Sequence, residues 1–90
     1  MNDELLALQA RVNGVIYNPF INLKDQIKEV KKLLSADKHK AEILKLDAAL
    51  VSLEEFENLP YGNLERIKGF NKIKAAALRV IKEILAGQKP

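Results

Sequence analysis

The sequence predicts an all-α fold, and three observations support that prediction. Apolar residues recur at spacings of three and four along most of the chain, which is the repeat of one face of an α-helix. No stretch alternates apolar and polar residues as a half-buried strand would. Leu, Ile, Val and Phe supply 30 of the 90 residues, enough for one modest core. We therefore expect residues 1–90 to form a single domain, a small bundle of four main helices plus one short helix.

The first two helices are predicted from apolar stripes that a proline separates. The first helix begins with a cap from Asn2 or Asp3 and ends at Asn18-Pro19, because proline disfavours the α conformation in the residue before it. The second helix runs from about Asn22 to about Leu34. The stripes consist of Leu5, Leu8, Val12 and Ile16 in the first helix and of Phe20, Leu23, Ile27, Val30 and Leu34 in the second.

A break at residues 35–37 is predicted to separate the second helix from a third. Ser35 and Asp37 are both good N-caps, and the apolar phase shifts after them. The alternative is one helix through Ser35, which would reach roughly 50 Å and would favour a dimeric coiled coil. The third helix ends at residues 58–62, which hold an asparagine, a proline and a glycine. Its stripe consists of Ile43, Leu46, Leu50 and Leu53, widened by Leu44, Val51 and Phe56.

The last third of the chain is predicted to hold the short helix and the fourth main helix. A glycine in a helix interior costs about 1 kcal/mol relative to alanine, so Gly69 favours a turn at residues 69–71. The short helix before this turn begins at Asn63, and the long helix after it ends before Gly87. Asn71 suits that turn, because asparagine tolerates left-handed backbone angles. An ordinary turn with Phe70 in the core and a phosphate-binding turn both fit this pattern. The stripe of the long helix consists of Ile73, Ala77, Val80 and Ile84.

Charge is distributed unevenly along the chain. The formal net charge is only +3, yet residues 46–65 hold five acidic and no basic residues, whereas residues 66–90 hold seven basic residues and one acidic residue. A basic segment behind an acidic one suggests an anionic partner for the C-terminal end. We therefore divide the domain into a three-helix core at 1–58 and a basic segment at 63–87.

Composition excludes several classes of site. With no cysteine and one histidine, the chain cannot form a disulfide framework or a Cys-based or His-rich metal site. No apolar run approaches the roughly 20 residues that span a membrane. We interpret His39 and the acidic cluster at residues 54–57 as solvated. We expect a cytoplasmic protein with no cofactor and no small-molecule substrate, and not an enzyme, because no nucleophile-base pair or phosphate-cradling glycine loop is visible.

Residues 63–81 resemble a helix-hairpin-helix motif. Residues 64–75 read LERIKGFNKIKA, which is similar to the Leu-x-x-Ile-Lys-Gly-apolar-Gly-x-x-Lys-Ala pattern near the start of bacterial RadC-type proteins, with Asn71 in place of the second glycine. A weaker similarity is to the lyase domain of DNA polymerase beta, whose lyase lysine has no match here. The resemblance implies a hairpin whose backbone amides bind a DNA phosphate without base specificity.

The sequence thus predicts a DNA-binding protein that contacts the phosphate backbone through this turn. The alternative is a protein-protein interaction module, such as an adaptor, immunity or regulatory factor, that pairs with another protein or forms a homodimer. Leu6, Leu33 and Leu44 would supply the dimer seam if exposed together. The expected nucleic-acid-binding residues are Arg66, Lys68, Gly69, Phe70, Asn71, Lys72, Lys74 and Arg79.

Overall fold

The described part of the protein is a bundle of four helices. The computed structural model describes residues 2–14 and 20–87, and within these ranges it contains helices and no strand. α2 and α4 each contact all three other helices, whereas α1 and α3 do not contact each other. The predicted all-α class is confirmed, but the predicted short helix is the first part of α4. The helices are α1 Asn2–Gly14, α2 Phe20–Leu33, α3 Lys40–Glu57 and α4 Leu64–Gly87.

A single core joins the four helices. All five predicted stripe residues of the second helix are buried, as are the four predicted in the long helix. In α1 the three described stripe residues are buried, while Ile16 and the predicted helix end at Asn18-Pro19 lie outside the described residues. The largest fully buried side chains are Phe20, Phe70, Leu5, Leu23, Ile27, Leu46, Leu53, Ile81, Ile84, Val12 and Val30.

The predicted break between the second and third helices is confirmed, which excludes one continuous helix. α2 ends at Leu33 and α3 begins at Lys40. The predicted capping side chains are wrong, because the N-cap of α3 is His39 and its side chain makes no capping hydrogen bond. Ser35 contributes its carbonyl oxygen, which accepts a hydrogen bond of 2.9 Å from the His39 amide.

One face of α3 differs from the prediction. Leu46 and Leu53 are buried as expected, with Ala49 beside them. Leu44 and Val51 do not widen the buried stripe, since they are 59% and 61% exposed. The reason is that α3 carries apolar residues on two sides, and only one of those sides packs against α2 and α4.

The connection between α3 and α4 forms where the sequence predicts it. α3 ends at Glu57, and Gly62 has a φ of 86°, a left-handed conformation that favours glycine. Asn63 then caps α4, because its side-chain Oδ1 accepts a hydrogen bond of 2.9 Å from the Glu65 amide. This connection makes α3 and α4 neighbours that pack along their lengths.

The predicted break at Gly69 is wrong, because α4 continues through residues 69–71. Gly69 is buried against the ring of Phe56 on α3, so closely that a Cβ at position 69 would overlap the ring atoms Cγ, Cδ1 and Cδ2. The next residue, Phe70, is fully buried and packs edge-to-face on Phe20 with ring centroids 5.1 Å apart. This close packing offsets the intrinsic cost of about 1 kcal/mol for a glycine in a helix.

Candidate nucleic-acid interface

The backbone amides of the predicted turn are not open to a ligand. Residues 69–71 lie inside α4, where amides donate to carbonyl oxygens one turn earlier. The second and third amides of α4 are also bonded, because Glu65 donates to Asn63 Oδ1 at 2.9 Å and Arg66 donates to the Asn63 carbonyl oxygen at 3.0 Å. Any anion that binds α4 along its length must therefore contact side chains.

Arg66, which the sequence predicts to contact DNA, is only 3% exposed. Its guanidinium lies between two aromatic rings, 4.9 Å from the centroid of Phe20 and 4.4 Å from that of Tyr61. Its Nη2 donates a hydrogen bond of 3.2 Å to the carbonyl oxygen of Glu57, the last residue of α3. Stacking and this hydrogen bond stabilise the junction between α3 and α4. Arg66 therefore faces the interior, as do Gly69 and Phe70.

The outward face of α4 carries a row of four basic residues, which we call the basic stripe. Positions 68, 72, 75, 79 and 82 follow one another at steps of four, three, four and three, so they share one side of the helix. Ala75 fills the middle position. At 1.5 Å per residue the stripe is about 21 Å long. Its members are Lys68, Lys72, Arg79 and Lys82.

Few acidic side chains neutralise the basic stripe. Among the residues that the structure describes, Lys72, Arg79 and Lys82 form no ion pair. The Nζ atom of Lys68 lies 3.9 Å from Oε1 of Glu65, which is one turn earlier on the helix. The other acidic residue of α4, Glu83, forms an ion pair of 3.2 Å with a lysine of α3. The stripe therefore keeps most of its positive charge towards solvent.

The structure brings together some of the predicted site residues and separates others. Lys68, Asn71, Lys72 and Arg79 lie on the outer side of α4. Lys74 is half-buried and lies away from the basic stripe. Lys82 was not among the predicted residues, although the repeat that begins at Lys68 reaches it and could have identified it.

A shallow groove adjoins the basic stripe. It has a volume of about 250 Å³ and lies between α3 and α4. Arg79 lines it from α4, and Lys45 lines it from α3. The ion pair between Lys45 and Glu83 also lies at this groove. The basic stripe of α4 is therefore next to the outer side of α3.

The described residues do not form a metal site or a membrane-spanning helix. Within residues 2–14 and 20–87, no three His, Asp or Glu side chains are grouped closely enough to hold a metal ion. In the same ranges no helix combines the length and the apolar character needed to cross a membrane.

Comparisons with protein-family models, with curated proteins and with solved structures found no match for this chain. The fold and the candidate site define a small helical bundle in which the outer face of α4 is basic. Its function is therefore inferred from the positions and charges of its own residues.

Proposed function

We propose that the protein is a non-enzymatic DNA-binding protein that contacts the phosphate backbone through the basic stripe of α4. The supporting observation is the arrangement of four cations on the outer side of one helix, three of them without an ion pair among the described residues. Cations placed in this way release counterions from DNA when they bind phosphates, and that release drives association independently of base sequence.

The dimensions of the basic stripe suit a duplex backbone. A length of about 21 Å corresponds to about six base pairs at 3.4 Å each. The small side chain of Ala75 at its centre lets the helix approach a backbone closely. The stripe has no aromatic residue, so it offers no stacking platform for single-stranded bases.

A membrane surface fits α4 less well than DNA does. A helix that lies in a membrane interface needs a free apolar face beside its cations. In α4 the main apolar face is already used, because Phe70, Ile73, Ala77, Val80 and Ile84 are buried in the core. Leu64 and Ile67 are exposed at the start of α4, but two side chains do not make an apolar face along the helix. Polyanion binding without apolar insertion therefore explains the exposed residues better.

DNA remains the partner, as the helix-hairpin-helix resemblance implies, but the contacts to its phosphates differ from those of such a motif. Side chains of the basic stripe replace the backbone amides of a turn, because those amides lie within a helix. Lys68, Lys72 and Arg79 remain contact residues, with Asn71 beside them and Lys82 added. Arg66, Gly69 and Phe70 act by holding α4 against the rest of the bundle.

The test is a fluorescence anisotropy titration of a random duplex at a series of salt concentrations. For four phosphate contacts, the logarithm of the association constant should fall against the logarithm of salt with a slope between about −3 and −4. The double reversal Lys72→Glu with Arg79→Glu should weaken binding about tenfold or more and flatten the slope. Binding that does not depend on salt, or no binding at low salt, would contradict the proposal.

A matched control separates the basic stripe from net charge. Lys28 and Lys32 lie on α2, and Lys28→Glu with Lys32→Glu changes the net charge by the same amount. This control should reduce affinity less than about threefold, because long-range charge is screened beyond about 10 Å at 0.1 M salt. Equal losses in the two double variants would show that the stripe is not the binding surface.

A protein-interaction module is the second candidate function. Exposed apolar side chains favour it, notably Tyr61 at 81%, Leu64 at 67% and Val51 at 61% exposure. The same titration distinguishes the two candidates, because an interaction module would show little affinity for random DNA even at low salt. It would instead bind a protein partner with a defined stoichiometry.

A further inference from the structure

We infer that the outer face of α3 is an interface for a second copy of the chain, with the two α3 helices antiparallel. The face carries Ala41, Leu44, Ala48 and Val51, which we call the apolar stripe. These positions follow steps of three, four and three, the spacing of a seam between two packed helices. Leu44 and Val51 are 59% and 61% exposed, and with the exposed Ala41 and Ala48 they form one apolar strip rather than scattered side chains.

The charges around the apolar stripe distinguish its two ends from its middle. In the middle, Lys45 is paired with Glu83 across the α3–α4 groove, and Asp47 is paired with a lysine of α2. Two basic residues lie at the N-terminal end and two acidic residues lie at the C-terminal end. None of these four end residues forms an ion pair with a residue that the structure describes. The four end residues are Lys38, Lys40, Glu54 and Glu55.

These end charges oppose the dipole of α3. The N-terminus of a helix carries partial positive charge and the C-terminus partial negative charge, so Lys40 at the start and Glu54 and Glu55 near the end are unfavourable within one chain. The last turn holds no basic residue, and Glu42 is the only acidic residue in the first turn. An oppositely charged partner would relieve this unfavourable arrangement.

A second copy in antiparallel orientation provides that partner. A two-fold axis near Ala48 places the basic end of one α3 beside the acidic end of the other, and the two helix dipoles then also run in opposite directions. A parallel pairing would place like charges together at both ends. The same axis brings Leu44 of each copy towards the C-terminal half of the other apolar stripe. Dimerisation of this kind does not require DNA binding.

Sedimentation equilibrium over the micromolar to millimolar range tests the dimer on the full chain. We expect a dissociation constant on the order of 10–100 µM, since a single pair of short helices buries less area than a standard stable interface. Leu44→Ser with Val51→Ser should weaken association tenfold or more. Leu6→Ser with Ile21→Ser is the matched control, because it removes apolar side chains of similar exposure from α1 and α2, and it should leave association unchanged.

Charge reversal tests the orientation. Lys40→Glu and Glu55→Lys each replace attraction by repulsion at both ends of an antiparallel dimer, so each alone should weaken association. The double variant Lys40→Glu with Glu55→Lys should restore it. Each substitution also improves the fit of the charge to the dipole of α3, so circular dichroism should show helix content that is kept or increased.

Three outcomes would overturn the inference. The first is a monomer of 10.1 kDa at every concentration up to about 1 mM. The second is a dimer that survives Leu44→Ser with Val51→Ser. The third is a dimer whose association does not respond to charge as an antiparallel pair requires. Either the single charge reversals leave association unchanged, as in parallel pairing, or the double reversal fails to restore the association that a single reversal has weakened.

Discussion

Arg66 and Arg79 belong to the same helix and have opposite environments. Arg66 is 3% exposed, stacked between two rings and bonded to the last carbonyl of α3. Arg79 lies on the basic stripe, at the solvent side of the helix. A count of charge along the sequence gives the two residues equal weight. Their position on the helix decides that one holds the fold together while the other is available to a partner.

The same contrast extends to the two ends of α4. Near its start, Gly69 and Phe70 pack against Phe56 and Phe20, so this end is fixed against α3 and α2. Farther along, the outer side carries most of the basic stripe. Substitutions on the buried side near the start should therefore change stability, whereas substitutions on the stripe should change DNA affinity.

Among the substitutions at positions 66, 69, 63 and 79, Arg66→Ala should have the largest effect on the free energy of unfolding, a loss of about 2–4 kcal/mol. It removes a buried cation from between two rings and leaves the Glu57 carbonyl oxygen without this donor. Arg66→Met should lose less, because it keeps the aliphatic volume between the rings. Urea denaturation measures both. If Arg66→Ala instead weakened DNA binding and left stability unchanged, Arg66 would be a DNA contact like Arg79 and not a structural residue.

Gly69→Ala should destabilise the protein by about 1–2 kcal/mol, although alanine is the better helix former. The new Cβ would overlap the ring of Phe56, and overpacking of this kind outweighs a gain in helix propensity of about 1 kcal/mol. Gly87→Ala in the same helix should be neutral or slightly stabilising, because its Cβ would meet no atom within 4 Å beyond its chain neighbours and the adjacent helix backbone.

The sign of the Gly69→Ala effect should reverse when the ring is removed. In a Phe56→Ala background, Gly69→Ala should be stabilising by up to about 1 kcal/mol, because helix propensity then acts alone. Denaturant titrations of the four chains in this double-mutant cycle measure the coupling. An effect of the same sign in both backgrounds would exclude the ring as the cause.

Asn63→Ala should cost about 1 kcal/mol, because the Glu65 amide loses the side-chain oxygen that it bonds at 2.9 Å. Asn63→Asp should retain most of the stability, since aspartate is an equally good cap. Thermal unfolding followed by circular dichroism measures both variants. An equal loss in Asn63→Ala and Asn63→Asp would point to a role for the asparagine amide beyond capping.

Arg79→Ala should have the smallest effect on unfolding, within about 0.5 kcal/mol, because the side chain lies at the surface and forms no ion pair with a described residue. In the DNA titration it should reduce the magnitude of the salt slope by about 0.9. A stability loss as large as that of Arg66→Ala would remove the distinction between the two arginines.

Periodicity was sufficient to predict most of the fold. The stripes of α1, α2 and α4, the break before α3 and the connection at residues 58–62 all follow from local spacing and turn residues. The stripe of α3 was only partly predictable, since its apolar residues lie on two sides and local spacing does not say which side packs. Leu44 and Val51 were assigned to the core for that reason.

The candidate site was predicted less well, because its residues depend on tertiary contacts. Glycine at position 69 looks like a break when only intrinsic propensity is considered. Phe56, thirteen residues earlier, decides the outcome by packing on the glycine backbone. Burial of Arg66 likewise depends on Phe20, which is distant in sequence, and on Tyr61, which lies in the turn before α4. Continuation of α4 then brings Lys82 into line with Lys68.

The contact between Gly69 and Phe56 also determines how α3 and α4 are oriented relative to each other. Because no side chain separates the ring from the backbone of α4, the two helices approach closely at that point. A larger residue there would change their crossing angle. The direction from which DNA would meet α4, relative to the proposed second copy on α3, would thus be set by an interior position that touches neither partner.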